Sequence, residues 1–251
     1  MVYIYTYLFI LGAVLGSFYN VVGLRVPENV SIVRPRSHCA TCHRTLGAVD
    51  LIPVLSYLLL RGKSRCCGNK ISMIYPIVEL VTGLLFLHAF YWFGLTGELA
   101  VALTFISLLV IIFVSDIVYM IIPDKVLLFF IPVILVERML VPLNPWWDMF
   151  AGAFIGFGLL YLIAILSKGG MGGGDIKLFF VIGLVLGLKL TILAFFISTL
   201  IGALYGILGM GLGKLRRSQP IPFGPFIAIG ALVSYFYGNF IMIFYFDVFN
   251  F

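Results

Sequence analysis

The chain has 251 residues, 63% of them hydrophobic and 10% charged, with a formal net charge of +6. A soluble domain is about 45–50% apolar and about 25% charged, so the composition excludes a water-soluble globular enzyme and describes a polytopic membrane protein. The basic excess gathers in loops, which makes it a signal of membrane orientation and gives no reason to invoke a nucleic-acid partner.

The first apolar run, Tyr3–Leu24, has no Lys or Arg before it and is followed directly by Arg25. A cleavable signal peptide begins with a basic region, so this run is expected to be a retained helix whose N-terminus lies outside. Arg25–Lys70 is the long polar segment. It carries Arg25, Arg34, Arg36, Arg44, Arg61, Lys63, Arg65 and Lys70, together with all four cysteines. Within it Leu51–Leu60 is apolar but too short for a span, which needs roughly 20 residues. It is expected either to lie on the membrane surface or to pack into the core of a small domain.

The later spans are expected at Ile74–Phe93, Leu99–Ser115, Val126–Val141, Met149–Ser167, Ile176–Leu188, Leu190–Leu212 and Ile221–Phe246. The chain therefore reads as an all-α polytopic membrane protein of about eight transmembrane helices, with both termini outside. Three parts are expected: a first helix at 1–24, a cytoplasmic basic and cysteine domain at 25–73, and a membrane-embedded domain at 74–251. The inner side then holds the first loop's basic residues plus Lys125, Lys168, Lys177, Lys214, Arg216 and Arg217, against Arg138 and Lys189 outside. Such asymmetry marks the basic side as cytoplasmic. Trp92, Trp146 and Trp147 fall near the outer ends, where aromatic belts form. The pairs Gly12/Gly16, Gly152/Gly156 and Gly202/Gly206 read as sites of close helix packing.

Lys168–Lys177, K-G-G-M-G-G-G-D-I-K, separates two apolar runs and presents Asp175 on a sterically open backbone. Asp116 is embedded in apolar sequence, and Asp124 follows Pro123 at the start of the next helix. On the topology above Asp116 and Asp175 share one depth at the inner border. Two adjacent carboxylates cannot both ionise easily, and that arrangement serves an aspartic protease. Acids near membrane spans also build proton or cation pathways, so a cation-coupled transporter is the alternative. A helix cap is the structural reading of Asp175.

The residues carry a resemblance. G-G-G-D-I-K at 172–177 fits the G-x-G-D motif of intramembrane aspartyl proteases. With D-I-V-Y-M-I-I-P-D at 116–124 it resembles the bacterial type IV prepilin peptidase family. L-G-S-F-Y-N-V-V-G-L-R-V-P at 15–27, P-R-S-H-C-A-T-C-H at 35–43, L-I-P-V-L-S-Y at 51–57, I-S-M-I-Y-P-I-V-E-L at 71–80 and I-P-F-G-P-F at 221–226 extend the likeness over nearly the whole chain. The resemblance implies a bifunctional enzyme of the bacterial cytoplasmic membrane. It would cleave the basic leader of prepilins or pseudopilins on the cytoplasmic face and methylate the new N-terminus with S-adenosylmethionine. By motif position Asp116 and Asp175 are the catalytic pair, flanked by Gly172 and Gly174. Asp124 does not match the catalytic acid and reads as a capping or loop residue.

Lys177 is a candidate for stabilising the ionised acid or for anchoring in lipid. Glu79 is a candidate for supporting the dyad or the methyl-transfer site, or a partner of Arg25 or Lys70. Cys39-x-x-Cys42 with a second pair suggests a four-thiolate zinc site. Ser64 departs from the repeated C-x-x-C of the family, leaving Cys39, Cys42 and Cys67 with Cys66, His38 or His43 as possible ligands, or a reduced thiol cluster without metal. His88 reads as a packed histidine. Pro220, Pro222 and Pro225 break the entry to the last helix, to shape a substrate gate or simply to end a loop. The glycine loop lacks the strand context of a nucleotide fingerprint.

Overall fold

The computed structural model describes residues 2–39, 41–168, 170–213 and 220–249. Gly169 of the glycine loop and the expected inner basic residues Lys214, Arg216 and Arg217 lie outside them. The described residues are helical, without strands. The order is α1 (Val2–Arg25), a 3-10 turn (Ala48–Leu51), α2 (Leu55–Leu59), α3 (Ile74–Phe93), α4 (Gly97–Tyr119), α5 (Asp124–Leu140), α6 (Asp148–Leu166), α7 (Gly173–Gly211) and α8 (Gly224–Phe249).

Six of these helices are long and apolar enough to cross a membrane: α1, α3, α4, α6, α7 and α8. The chain is a membrane protein. Two further observations bring the helix count close to the expected eight. α5 has 17 residues with Pro132 inside it, close to a span's length. α7, at 39 residues, is two helices that meet at Gly187, whose φ of 74° and ψ of 179° are not helical. The Phe179 and Phe195 rings lie 5.9 Å apart. A straight helix would separate residues sixteen apart by about 24 Å, so the chain folds back at Gly187. The break falls close to the expected boundary at Lys189. The first limb, 173–186, is about 21 Å long at 1.5 Å per residue, shorter than the hydrocarbon thickness of about 30 Å.

The chain divides into two compact units, Met1–Val114 and Ser115–Phe251. In the first, α1 packs on α3 through small residues. A Cβ at Gly12 would lie 2.9 Å from Gly83 Cα, and one at Gly83 would lie 2.9 Å from the Phe9 ring. Tyr19 and Ser107 share a buried hydrogen bond of 2.5 Å between α1 and α4. The apolar stretch at 51–60 does not form a domain core: Leu55, Leu58 and Leu59 are 57%, 63% and 81% exposed. The expected packing into a domain core is therefore not what these leucines do. Cys39 and Ser64 are buried instead.

In the second unit α6 and α7 approach at backbone distance. A Cβ at Gly152 would lie 2.5 Å from the Gly187 carbonyl carbon, and one at Gly156 would lie 2.9 Å from the Phe179 oxygen. The fold-back at Gly187 frees backbone groups that lipid cannot satisfy. Side chains take them up. Arg138 Nη2 donates to the Val185 carbonyl at 2.6 Å, the Leu188 N–H donates to Asp148 Oδ1 at 3.2 Å, and Thr191 Oγ1 donates to the Gly187 carbonyl at 2.6 Å. Arg138, counted above as an outer-side charge, is 2% exposed and serves this turn.

Gly187→Ala is expected to destabilise the protein. The native dihedrals suit glycine alone, at a strain of about 1–3 kcal/mol for other residues, and the added Cβ would run into the Asp148 carboxylate. A fall in the unfolding temperature of the detergent-purified variant checks this.

Candidate active site

Asp116 lies near the C-terminal end of α4 and is 5% exposed. The chain leaves that helix at Met120, whose φ is 55°, and Ser115 Oγ donates to the Ile121 carbonyl at 2.5 Å. Pro123 then caps α5. A carboxylate so buried needs a donor. It finds one at the start of α8, where the Gly224 N–H donates to Asp116 Oδ2 at 2.7 Å. A helix N-terminus offers N–H groups without partners of their own and a favourable dipole. A Cβ at position 224 would lie 2.8 Å from that oxygen, so the approach requires glycine.

Asp175 is the third residue of α7 and is half-buried. Its N–H donates to the Gly172 carbonyl at 3.1 Å. The two glycines of the motif each have a steric cause. A Cβ at Gly172 would lie 3.0 Å from Asp175 Oδ2, and one at Gly174 would lie 2.7 Å from Ile122 Cβ. Gly173 between them faces open space. The Asp175 carboxylate stands within electrostatic reach of Asp116. The structure thus brings Asp116, Asp175 and the N-terminus of α8 together. The glycine between the prolines at 222 and 225 was the missed member. Its signal was present in I-P-F-G-P-F, but its target was not.

Lys177 does not turn to the pair. Its Nζ donates to Asp124 Oδ1 and Oδ2 at 2.8 and 2.7 Å, tying α7 to α5. Asp124 is therefore an ion-pair partner in the first turn of α5, with Pro123 as the cap. Glu79, in the first unit, is 8% exposed, and its Oε2 accepts the Val54 N–H at 2.8 Å. Arg25 is occupied by the carbonyls of Ser31, Ile32 and Pro35.

The four cysteine sulfurs all lie within 4.8 Å of one another. Cys39 and Cys67 approach to 3.6 Å, and Cys42 and Cys66 to 3.0 Å. A tetrahedral zinc with bonds of about 2.3 Å would set its sulfurs about 3.8 Å apart, so the donor set fits after a small spreading. Both adjacent cysteines reach the cluster. Ser64 Oγ lies 3.4 Å from Cys39 and 3.0 Å from Cys66. Its hydroxyl, followed by the backbone N–H groups of Cys42 and Thr41, pulls the Cys39 thiol down to about 5. The contact with Cys66 pushes the Cys42 thiol up to about 11. His38 and His43 pair with each other, ring centroids 5.7 Å apart, and stand outside the cluster of four thiols.

Comparison with known proteins finds two family matches along the chain. Residues 10–93 match the bacterial peptidase A24 N-terminal domain, and residues 103–207 match the type IV leader peptidase family. A prepilin leader peptidase/N-methyltransferase of Bacillus subtilis (strain 168) is 50% identical over 238 residues, covering 95% of this chain and 96% of that protein. Proteins of the same description from Myxococcus xanthus and Xanthomonas campestris are 38% and 33% identical. They cover 80% and 91% of this chain and 62% and 90% of their own lengths. No solved structure gives a significant match.

Lys177→Ala is expected to change stability little. Both partners of the pair are more than half exposed, and such pairs contribute about 0–1 kcal/mol. A shift in unfolding temperature like that of a loss of core packing would contradict this.

Proposed function

The chain belongs to the type IV leader peptidase family, and on that premise we propose that Asp116 and Asp175 are its catalytic dyad, cutting the leader from prepilin or pseudopilin substrates. The observation that supports this is that two carboxylates from distant helices stand within electrostatic reach of each other, one of them accepting a backbone N–H. The enzyme is a prepilin leader peptidase and N-methyltransferase. No observation favours the transport alternative.

In the hydrolytic step one carboxylate, ionised, takes a proton from water as its oxygen attacks the scissile carbonyl carbon. The other, protonated, donates to the carbonyl oxygen. As the carbon–nitrogen bond breaks, a proton passes to the leaving nitrogen, giving a free carboxylate on the leader and an amine on the mature chain. Gly224 holds Asp116 in place. Gly172 and Gly174 clear the space around Asp175.

The reading places the protein in the bacterial cytoplasmic membrane, with eight spans, both termini outside and the dyad on the cytoplasmic face. The support is the distribution of basic residues in the sequence. Residues 25–73 form a small cytoplasmic domain, and residues 74–251 the peptidase domain. Cys39, Cys42, Cys66 and Cys67 would hold zinc. A closed set of four thiolates supplies folding stability to a small segment and leaves no open position for chemistry.

The methyl donor would be S-adenosylmethionine. A cavity of about 450 Å³ in the second unit is lined by Leu127, Leu128, Ile131 and three phenylalanines, and its polar side chains Asp124 and Lys177 are engaged with each other. That lining does not fit a charged nucleoside.

Asp116→Asn and Asp175→Asn are each expected to lower cleavage of a prepilin by about 10²–10⁴-fold while membrane insertion persists; Asp124→Asn keeps most activity. Gly224→Ala follows Asp116→Asn in direction, since a displacement of about 1 Å costs on the order of 10²-fold. Leader cleavage by the purified variants, read by product mass, decides; an active Asp116→Asn protein refutes the dyad.

Serine at both Cys39 and Cys42 is expected to remove bound zinc, measured by elemental analysis, while leader cleavage continues. Undiminished metal would refute the site, and loss of cleavage in a normally inserted protein would show that the segment is needed for hydrolysis.

A further inference from the structure

The first unit contains buried polar groups that hydrolysis at the dyad does not employ. α1 and α3 touch at Gly16, where a Cβ would lie 2.9 Å from Thr82 Oγ1 and 3.0 Å from Glu79 Cα. One turn further along α1, Asn20 is 1% exposed and donates through Nδ2 to the Tyr75 carbonyl at 3.3 Å. Its Oδ1 is buried and accepts no hydrogen bond among the described residues. Tyr75 precedes Glu79 by one turn of α3. Helical side chains lean back over the turn before them, so the Glu79 carboxylate reaches toward the level of Asn20.

The partners of Glu79 are neutral. They are the Val54 N–H at 2.8 Å and the Ser17 hydroxyl. Val54 itself sits at φ 61° and ψ −50°, an outlying conformation for a β-branched residue. Such strain persists where surrounding contacts over-determine it, and the bond to Glu79 is one such contact. Among the described residues this leaves a buried carboxylate whose partners are neutral and, one turn along the same α1–α3 contact, an amide oxygen without a donor. A buried carboxylate calls for a cation, and an orphaned acceptor calls for an N–H. An ammonium group supplies both, with three donors on one charge.

We infer that Asn20 and Glu79 form a subsite that holds a primary ammonium group, namely the amino terminus released by leader cleavage and then methylated. The inference rests on the reading under Proposed function for the identity of that amine. A protonated Glu79 donating to Asn20 Oδ1 would be a closed internal bond with no ligand, and the two arrangements give opposite results on substitution.

The test uses the purified full-length protein and two probes: a short apolar peptide with a free amino terminus and its N-acetylated twin. Binding is measured by calorimetry without methyl donor. A hydrogen bond to a charged group contributes about 1.5–3 kcal/mol, so the free amine is expected to bind about tenfold or more tightly than the acetylated peptide. Glu79→Gln and Asn20→Ala should each erase that preference and leave the affinity for the acetylated peptide unchanged, which also shows that the variant is folded. Equal affinities in the unsubstituted protein overturn the inference whatever the variants do. So does a preference retained in Glu79→Gln, because glutamine would preserve an internal bond to Asn20. Leader cleavage by the same preparation is measured separately. Its absence would refute the peptidase reading, whereas cleavage without amine preference refutes the subsite alone.

Discussion

The hydrogen bond from the Gly224 N–H to Asp116 is the interaction on which the arrangement of the second unit depends. A carboxylate 5% exposed within an apolar helix is a large cost unless a donor meets it. The start of α8 meets it with a backbone group that has no partner inside its own helix. The requirement propagates outward. The approach leaves no room for a Cβ at 224, and the prolines at 222 and 225 restrict the backbone on both sides. α8 must therefore begin where Asp116 ends its own helix. The second acid is brought to the same place by the start of α7.

Asp175 can reach that place because its helix is short. The limb 173–186 ends at Gly187, and the chain returns alongside it, so Phe179 and Phe195 touch. Lipid does not tolerate the backbone groups that such a reversal exposes. Arg138, Asp148 and Thr191 satisfy them from within the protein. Glycines at 152, 156 and 183 let α6 lie against both limbs. The end of the limb that carries Asp175 is thus held by packing at the opposite end of the same limb.

The cysteine segment follows a different logic. Its described residues form no apolar core, and the leucines at 55, 58 and 59 are exposed. Four thiols converge within it. Cys66 reaches Cys42, and the hydroxyl of Ser64 donates into the cluster from the position where a thiol was expected. A small segment with little buried hydrocarbon gains stability where a metal or other staple joins such groups.

Spans, the glycine motif, the acids at 116 and 175 and the gathering of four cysteines were all legible in the sequence, because each is carried by local composition or by short spacing. Hydropathy over about 20 residues reports a span whatever lies next to it, and it separated the two limbs of α7 to within a few residues of Gly187. Partners were not legible. That Lys177 pairs with Asp124, that Glu79 takes the Val54 N–H and that Arg138 is buried against the Val185 carbonyl each depend on residues brought together across tens of positions. The assignment of Gly224 to Asp116 spans 108 positions. Local pattern could mark the glycine between prolines as a break in the helix, but a backbone N–H carries no sequence signature. Its target was decided by tertiary packing, where a buried charge accepts whichever donor the fold delivers.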